Sequence, residues 1–237
     1  MKETQVAIIG GGIVGTAVAH ALARYKLDVS ILEKAPAFGF GITKACMGGL
    51  HGGVSLYLSK IVKWWAGAGD LRSYLTASHH LKDSLSAPGR KMYLELAPQL
   101  NAGLANCGRL VVAETEDDLE KMTLMKTLIE EQGGSEITLL DRDGLKEMEP
   151  MIDPRFIGGI FDPEESSIVA AEWAIAFADC AAQNGVNTLL NTEVTGIEET
   201  NGSFVIRTNN DPIRAEYVIN TAGVYSDDIA AMMGPID

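Results

Sequence analysis

The run Gly10-Gly11-Gly12-Ile13-Val14-Gly15 restricts the fold of this chain more than any other feature, because consecutive glycines suit backbone that must turn sharply or pass close to something else. Before it, Gln5 to Ile9 is short and continuously apolar, as expected of a strand buried on both faces. After it, Ile13 to Tyr25 carries Val14, Ala17, Val18, Ala21 and Leu22 at helical spacing, and Val29 to Leu32 reads as a second buried strand. Strand, glycine turn, helix and strand within the first 33 residues open a parallel βαβ unit.

The glycine spacing satisfies G-x-G-x-x-G in the context that gives the motif its physics. Gly10 allows the tight turn, Gly12 lets a pyrophosphate approach the backbone, and Gly15 lets helix and strand pack closely. The helix start adds unpaired N–H groups and the positive end of its dipole. Such turns also arise from close packing alone, but Glu33 closes the second strand where a carboxylate can accept hydrogen bonds from an adenosine ribose. The same charge would oppose a 2′-phosphate. A bound dinucleotide is therefore expected. The pattern then leaves the regular alternation: Phe38 to Gly53 holds Gly39, Gly41, Gly48, Gly49, Gly52 and Gly53, with Thr43, Lys44 and His51 interspersed, a composition suited to backbone passing beside a flat ligand.

Further along, the pattern predicts a helix over 89–100, a strand over 108–113 and a helix from Thr115 through Gln132 with Asp118 completing its cap. Short strands over 137–140 and 156–161 follow, with a helix from Asp141 between them. Ala171 to Asn184 is an apolar helix with Gly185 as a left-handed cap. Leu189 to Glu198 and Phe204 to Thr208 read as a meander turning at Asn201-Gly202, then Tyr217 to Asn220 as a buried strand, Ala222-Gly223 as a turn and Ser226 to Met233 as a helix. Glu164-Glu165 reads as a solvated turn, and Cys46 as a small buried residue. Trp64-Trp65 with Lys60, Lys63 and Arg72 reads as a packed, partly exposed insertion, and His79 and His80 as solvated or packed.

Charge narrows the partners. Across 237 residues, 19 Lys and Arg face 32 Asp and Glu, a net charge of −13 that repels nucleic acid and anionic lipid. Cys46, Cys107 and Cys180 have neither zinc-site nor disulfide-framework spacing, so no metal site is expected and a reducing cytoplasm is the default, with peripheral membrane association left open. No segment has the roughly 20 apolar residues of a membrane span.

In order, Val6 to Gly15, Ile31-Leu32-Glu33-Lys34, Thr43-Lys44, Gly49-Leu50-His51-Gly52-Gly53, Thr192 to Ile197 and Val218 to Ser226 together resemble the FAD-dependent oxidoreductases of the D-amino-acid oxidase and glycerol-3-phosphate dehydrogenase superfamily, including L-2-hydroxyglutarate oxidases. The resemblance implies extended FAD with its adenosine diphosphate end on Gly10, Gly12, Ile13, Val14, Gly15, Glu33 and Lys34. It implies Thr43 and Lys44 near the pyrophosphate, Gly49, Leu50 and His51 beside the flavin, Val194 at the adenine, and Ala222 and Gly223 returning to the pyrophosphate. It also implies a glutathione-reductase-type, Rossmann-like α/β lobe formed by residues 1–58 and 151–237, with part of an α+β substrate lobe, 59–150, inserted. Such enzymes continue well beyond the 217–233 unit, so an N-terminal portion, or a subunit completed by a partner chain, is expected.

The expected reaction is hydride transfer from a small hydroxy acid, glycerol 3-phosphate or amino acid to flavin. An amine needs no obligatory base, whereas a hydroxyl is helped by a neutral histidine. His51 is the candidate, its alternative being a structural histidine bonded to the loop. An NAD-dependent dehydrogenase and a non-catalytic nucleotide-binding subunit are the competing readings. Substrate, electron acceptor, covalent or non-covalent flavin and oligomeric state stay open.

Overall fold

The computed structural model describes residues 1–51, 67, 81–131 and 136–234, so Gly52, Gly53, Trp64, Trp65, His79 and His80 lie outside the described residues. The chain forms two compact units: Met1–Gly48, Ala97–Gly103 and Val169–Asp237 make the first, Gly49–Leu96 and Leu104–Ile168 the second.

The first unit is built on a six-stranded sheet. β1 (Lys2–Ile9) lies between β2 (Val29–Leu32) and β12 (Ile213–Asn220), parallel to both, and β9 (Asn187–Leu189) extends the parallel edge beside β2. β10 (Val194–Thr200) and β11 (Ser203–Thr208) continue antiparallel from β12. This is the α/β, Rossmann-like architecture expected from the sequence. Alternation along β1 explains why its run is uninterrupted. Val6 and Ile8 join Ala19, Val29, Ile31, Ala181 and Val186 in one core, and Ala7 and Ile9 join Leu32, Val194, Ile206 and Ile213 in another. Each fully buried Ile or Leu contributes about 1.5–3 kcal/mol.

α1 (Ile13–Leu22) packs against α5 (Ala170–Gln183). Trp173 of α5 is fully buried, and its indole donates to the Gly103 carbonyl at 2.8 Å. Phe177 lies between Trp173 and His20 in tilted contacts, with ring centroids 5.6 and 5.1 Å away. Gly185 ends α5 at φ 95°, and Asn201 and Gly202 turn the hairpin at φ 54° and 74°. The single strand expected over 189–198 is two strands in different parts of the sheet. Between them Asn191 adopts φ 50° and donates to Ala35, while Thr192 donates to Glu33, so the chain bends across the end of β2. A 3₁₀ turn, Gly223–Tyr225, and the short α6 (Ser226–Ala231) close the unit.

In the second unit β5 (Arg109–Ala113), β7 (Gly158–Asp162) and β6 (Thr138–Asp141) form one antiparallel sheet in the order β5-β7-β6. α3 (Glu116–Glu131) covers it with Met122, Met125, Leu128 and Ile129, which bury against Ala113, Ile137 and Ile160. Its expected cap is present: the Asp118 amide donates to Thr115 Oγ1 at 3.2 Å and the Thr115 amide donates to Asp118 Oδ2 at 3.0 Å. Asp141 caps α4 (Arg142–Met148) by accepting from the Gly144 amide at 2.8 Å. A second small sheet runs β3 (Gly49–Leu50), β8 (Ser166–Ile168), β4 (Leu104–Ala105). None of these three short strands is among those expected from the sequence pattern. α2 (Leu81–Leu100) starts before the expected Gly89, since Pro88 and Gly89, poor helix formers, are carried inside it.

His20 supplies a test of the α1–α5 seam. Burial first, and the Arg24 charge second, hold its imidazole below the ordinary 6.5. The unfolded chain therefore binds this proton before the folded one, and the contribution to stability falls as pH drops through the unfolded value, levelling off below the folded one. Melting temperatures of wild type and His20→Gln, compared at about pH 7.5 and about pH 5.5, should show a shallower acid loss in the variant. Equal pH slopes would contradict the assignment.

Candidate functional site

β1 leads through α1 to β2 on one side and borders β12 on the other, so the strand order reverses at the carboxyl ends of Ile9 and Asn220. Open α/β sheets bind ligands at such a point. The turn there is packed to the limit. A Cβ on Gly10, at φ 108°, would sit 2.5 Å from the Thr221 carbonyl oxygen, and one on Gly15 would sit 1.9 Å from the Gly10 carbonyl oxygen. The Thr221 hydroxyl bridges this junction, lying 2.9 Å from the Ile9 carbonyl oxygen and 3.0 Å from that of Gly10.

Glu33 ties the end of β2 to the same turn. Its Oε2 accepts from the Gly11 amide and its Oε1 from the Ala35 amide, both at 2.7 Å. Each oxygen of an ionised carboxylate has a second lone-pair direction, so Glu33 can hold the turn and still accept from a sugar hydroxyl. Thr43, in the 3₁₀ turn Ile42–Ala45, is buried and accepts from the Ile13 amide at 3.0 Å. Lys34 Nζ lies 3.4 Å from the Tyr225 ring centroid, and Lys44 Nζ 3.4 Å from that of Phe40. Val194 is buried at the start of β10 in the core that Leu32 shares and Ala222 borders. Gly223, at φ 59°, begins the turn after β12.

The residues fit an anionic dinucleotide. In contrast to Gly10 and Gly15, a Cβ on Gly12 would meet only Thr43 Oγ1, at 3.2 Å, so this glycine opens onto space. Above it are the first-turn amides of α1, which have no partners within a helix. Val14 in that turn is 61% exposed. Thus Gly10, Gly12, Ile13, Val14, Gly15, Glu33, Lys34, Thr43, Ala222 and Gly223 gather round the carboxyl ends of β1, β2 and β12. Gly11 is constrained too, by side chains rather than backbone, since a Cβ there would lie 2.6 Å from Phe38 and 2.8 Å from Glu33. The motif, which leaves that position free, gave no hint of it. Thr221 was visible only as one residue of the Val218–Ser226 segment.

Gly49, Leu50 and His51 belong to the second unit. His51 Nδ1 lies 3.0 Å from Glu165 Oε1, and Arg109 Nη2 donates to the same oxygen at 2.7 Å. Of the Glu164-Glu165 pair expected as a solvated turn, Glu164 is an exposed turn residue, whereas Glu165 is a correction: its side chain is only 7% exposed. Pairing of β3 with β8 draws it inward, and the Ser166-Ser167-Ile168 run was the available signal. Cys46 is exposed rather than buried, beside Met47 on an outward turn.

The model of the family described as FAD dependent oxidoreductase, DAO, matches residues 5–237. The chain belongs to this family. Among its relatives, the glycerol 3-phosphate dehydrogenase of Caloramator mitchellensis is 31% identical over 228 residues, covering 96% of this chain and 43% of that protein. Human mitochondrial L-2-hydroxyglutarate dehydrogenase is 27% identical over 243 residues, covering 97% and 48%. The dithionite-reduced L-α-glycerophosphate oxidase of Mycoplasma pneumoniae, solved with FAD bound, superposes with a TM-score of 0.80 at 27% identity, over 98% of this chain and 57% of that one. The chain therefore spans about half the length of the relatives it matches. Membership in a flavin family decides against the nicotinamide alternative for the cofactor class. No helix among the described residues is long and apolar enough to cross a membrane.

The packing at Gly15 makes a sharp prediction. Gly15→Ala should destabilise the first unit by about 1–3 kcal/mol or more, the cost of core overpacking, read as a loss of soluble, cooperatively melting protein. Wild-type melting would show that the contact at the Gly10 carbonyl yields.

Proposed function

We propose that this chain binds FAD through its first unit and serves the flavin-dependent oxidation of a small hydroxy acid, polyol phosphate or amino acid. The observation that carries the reading is the cradle at the strand reversal: Gly12 open beside the α1 amides, with the Glu33 carboxylate anchored next to it. In this reading the pyrophosphate lies on Gly12, Ile13, Val14 and the first turn of α1, and Thr43 and Lys44 flank it. The ribose hydroxyls donate to Glu33, with Lys34 beside it, and the Val194 backbone borders the adenine. Ala222 and Gly223 close over the pyrophosphate from β12.

FAD, when bound, supplies a hydride acceptor for a carbon bearing a hydroxyl or an amine. The residues of the chain orient that cofactor and manage the substrate proton. A hydroxyl substrate must lose its proton as the carbon is oxidised, and a neutral imidazole nitrogen of His51 accepts it. The names of the relatives, glycerol 3-phosphate and L-2-hydroxyglutarate enzymes, favour an anionic hydroxyl-bearing substrate. The proposed lobes are residues 1–58 with 151–237 for FAD and 59–150 for substrate. The first compact unit, made of separated N- and C-terminal segments around an insertion, supports this division, although 49–51 and 151–168 fall in the second unit and 97–103 in the first. Completion of the fold by further chain or a partner, and residence in the cytoplasm, belong to the same proposal.

Gly12→Val tests the cofactor site. With an unchanged circular dichroism spectrum, its flavin content after purification or FAD reconstitution should fall to near zero, and wild-type content would overturn the site. His51→Asn should retain flavin but lower kcat with a hydroxyl substrate by roughly 10²- to 10⁴-fold. Undiminished kcat would remove His51 from the role of base.

A further inference from the structure

We infer that Glu165 is a positioning residue for His51, holding its ring in the tautomer that carries hydrogen on Nδ1 and leaves the Nε2 lone pair for the substrate; the inference rests on the reading of His51 as a base. Leu50 pairs with Ser166 across β3 and β8, so His51 and Glu165 follow and precede directly paired residues on two hydrogen-bonded strands. The Glu165 backbone is held as well, its carbonyl accepting from the Gly108 amide at 3.0 Å. One oxygen, Oε1, meets both His51 Nδ1 at 3.0 Å and Arg109 Nη2 at 2.7 Å. Space for the contact comes from Gly49, where a Cβ would approach His51 Cε1 to 3.0 Å and Glu165 Oε1 to 3.5 Å.

The chemistry follows from the donor inventory. An ionised carboxylate only accepts hydrogen bonds, so the imidazole nitrogen facing it must carry the hydrogen. A carboxylate so little exposed would be costly alone, and the Arg109 guanidinium offsets its charge. The histidine itself is 44% exposed, against 7% for Glu165, so the ring keeps an accessible edge while its other edge is held. When the substrate hydroxyl is oxidised, its proton moves to Nε2, and the imidazolium so formed faces a negative charge already in place. That charge is not created in the step. Glu165 needs no contact with substrate to act, which separates its role from that of His51.

The test uses the full 237-residue chain labelled with 15N-histidine, at about pH 8, above the ordinary imidazole titration. Ring 15N shifts of His51 should report a single tautomer protonated at Nδ1 in wild type. In Glu165→Leu, which leaves no acceptor facing Nδ1, that preference should be lost. Because this variant leaves Arg109 without its carboxylate, the double variant Glu165→Leu/Arg109→Met, which removes both charges together, gives the same readout if the single variant does not fold. In the flavin-loaded enzyme kcat should fall at least about tenfold with KM unchanged, the pattern expected when a base loses its orientation. An Nε2-protonated His51 in wild type, or an unchanged tautomer in both variants, overturns the inference. Failure of the base reading would appear elsewhere, as undiminished kcat in His51→Asn.

Discussion

Two strands and a helix of the first unit converge on a contact that no side chain larger than hydrogen can enter. Gly15 lies against the Gly10 carbonyl, Gly10 lies against Thr221, and the Thr221 hydroxyl reaches back to the end of β1. Because helix α1 is thereby pressed against the sheet at its very start, its first-turn amides emerge at the strand reversal rather than some distance above it. Glu33 then reaches Gly11 across a single hydrogen bond. Moving any of these elements by the width of a methyl group would separate the acid from the amides, and the two would no longer present one surface to one ligand.

Much of this was legible before the structure. The β1–α1–β2 unit, the Thr115 cap, the left-handed Gly185 and the Asn201-Gly202 hairpin each depend on neighbours within a few positions, which local pattern records faithfully. The division of 189–198 into two strands depends instead on Asn191 and Thr192 bonding to Ala35 and Glu33, more than 150 positions away in sequence, and nothing local announces it. Glycines show the same split. Motif spacing assigned roles to Gly10, Gly12 and Gly15, whereas the need for glycine at Gly11 comes from Phe38, and at Gly49 from His51 and Glu165. A pair of consecutive glutamates reads as solvated until the strand that turns one of them inward is known.

The second unit treats charge differently from the first. Around the glycine turn, Glu33 is partly exposed and satisfied by backbone amides, an arrangement that tolerates an added sugar hydroxyl. Around His51, Glu165 is buried and satisfied by side chains, one of them a guanidinium, an arrangement that tolerates little change. Removing one member of such a pair costs more than the pair contributes, because the partner's charge is left in a poorly solvating place. That asymmetry suits a group whose task is to keep another ring from turning.

The proposed resting place of the cofactor's adenosine diphosphate end at the strand reversal is open to direct test in a crystal structure of this chain grown with FAD. Pyrophosphate density is expected against Gly12 and the first turn of α1, with ribose hydroxyls within hydrogen-bonding distance of Glu33. Density for the dinucleotide elsewhere on the chain, with Glu33 bonded only to Gly11 and Ala35, would contradict it.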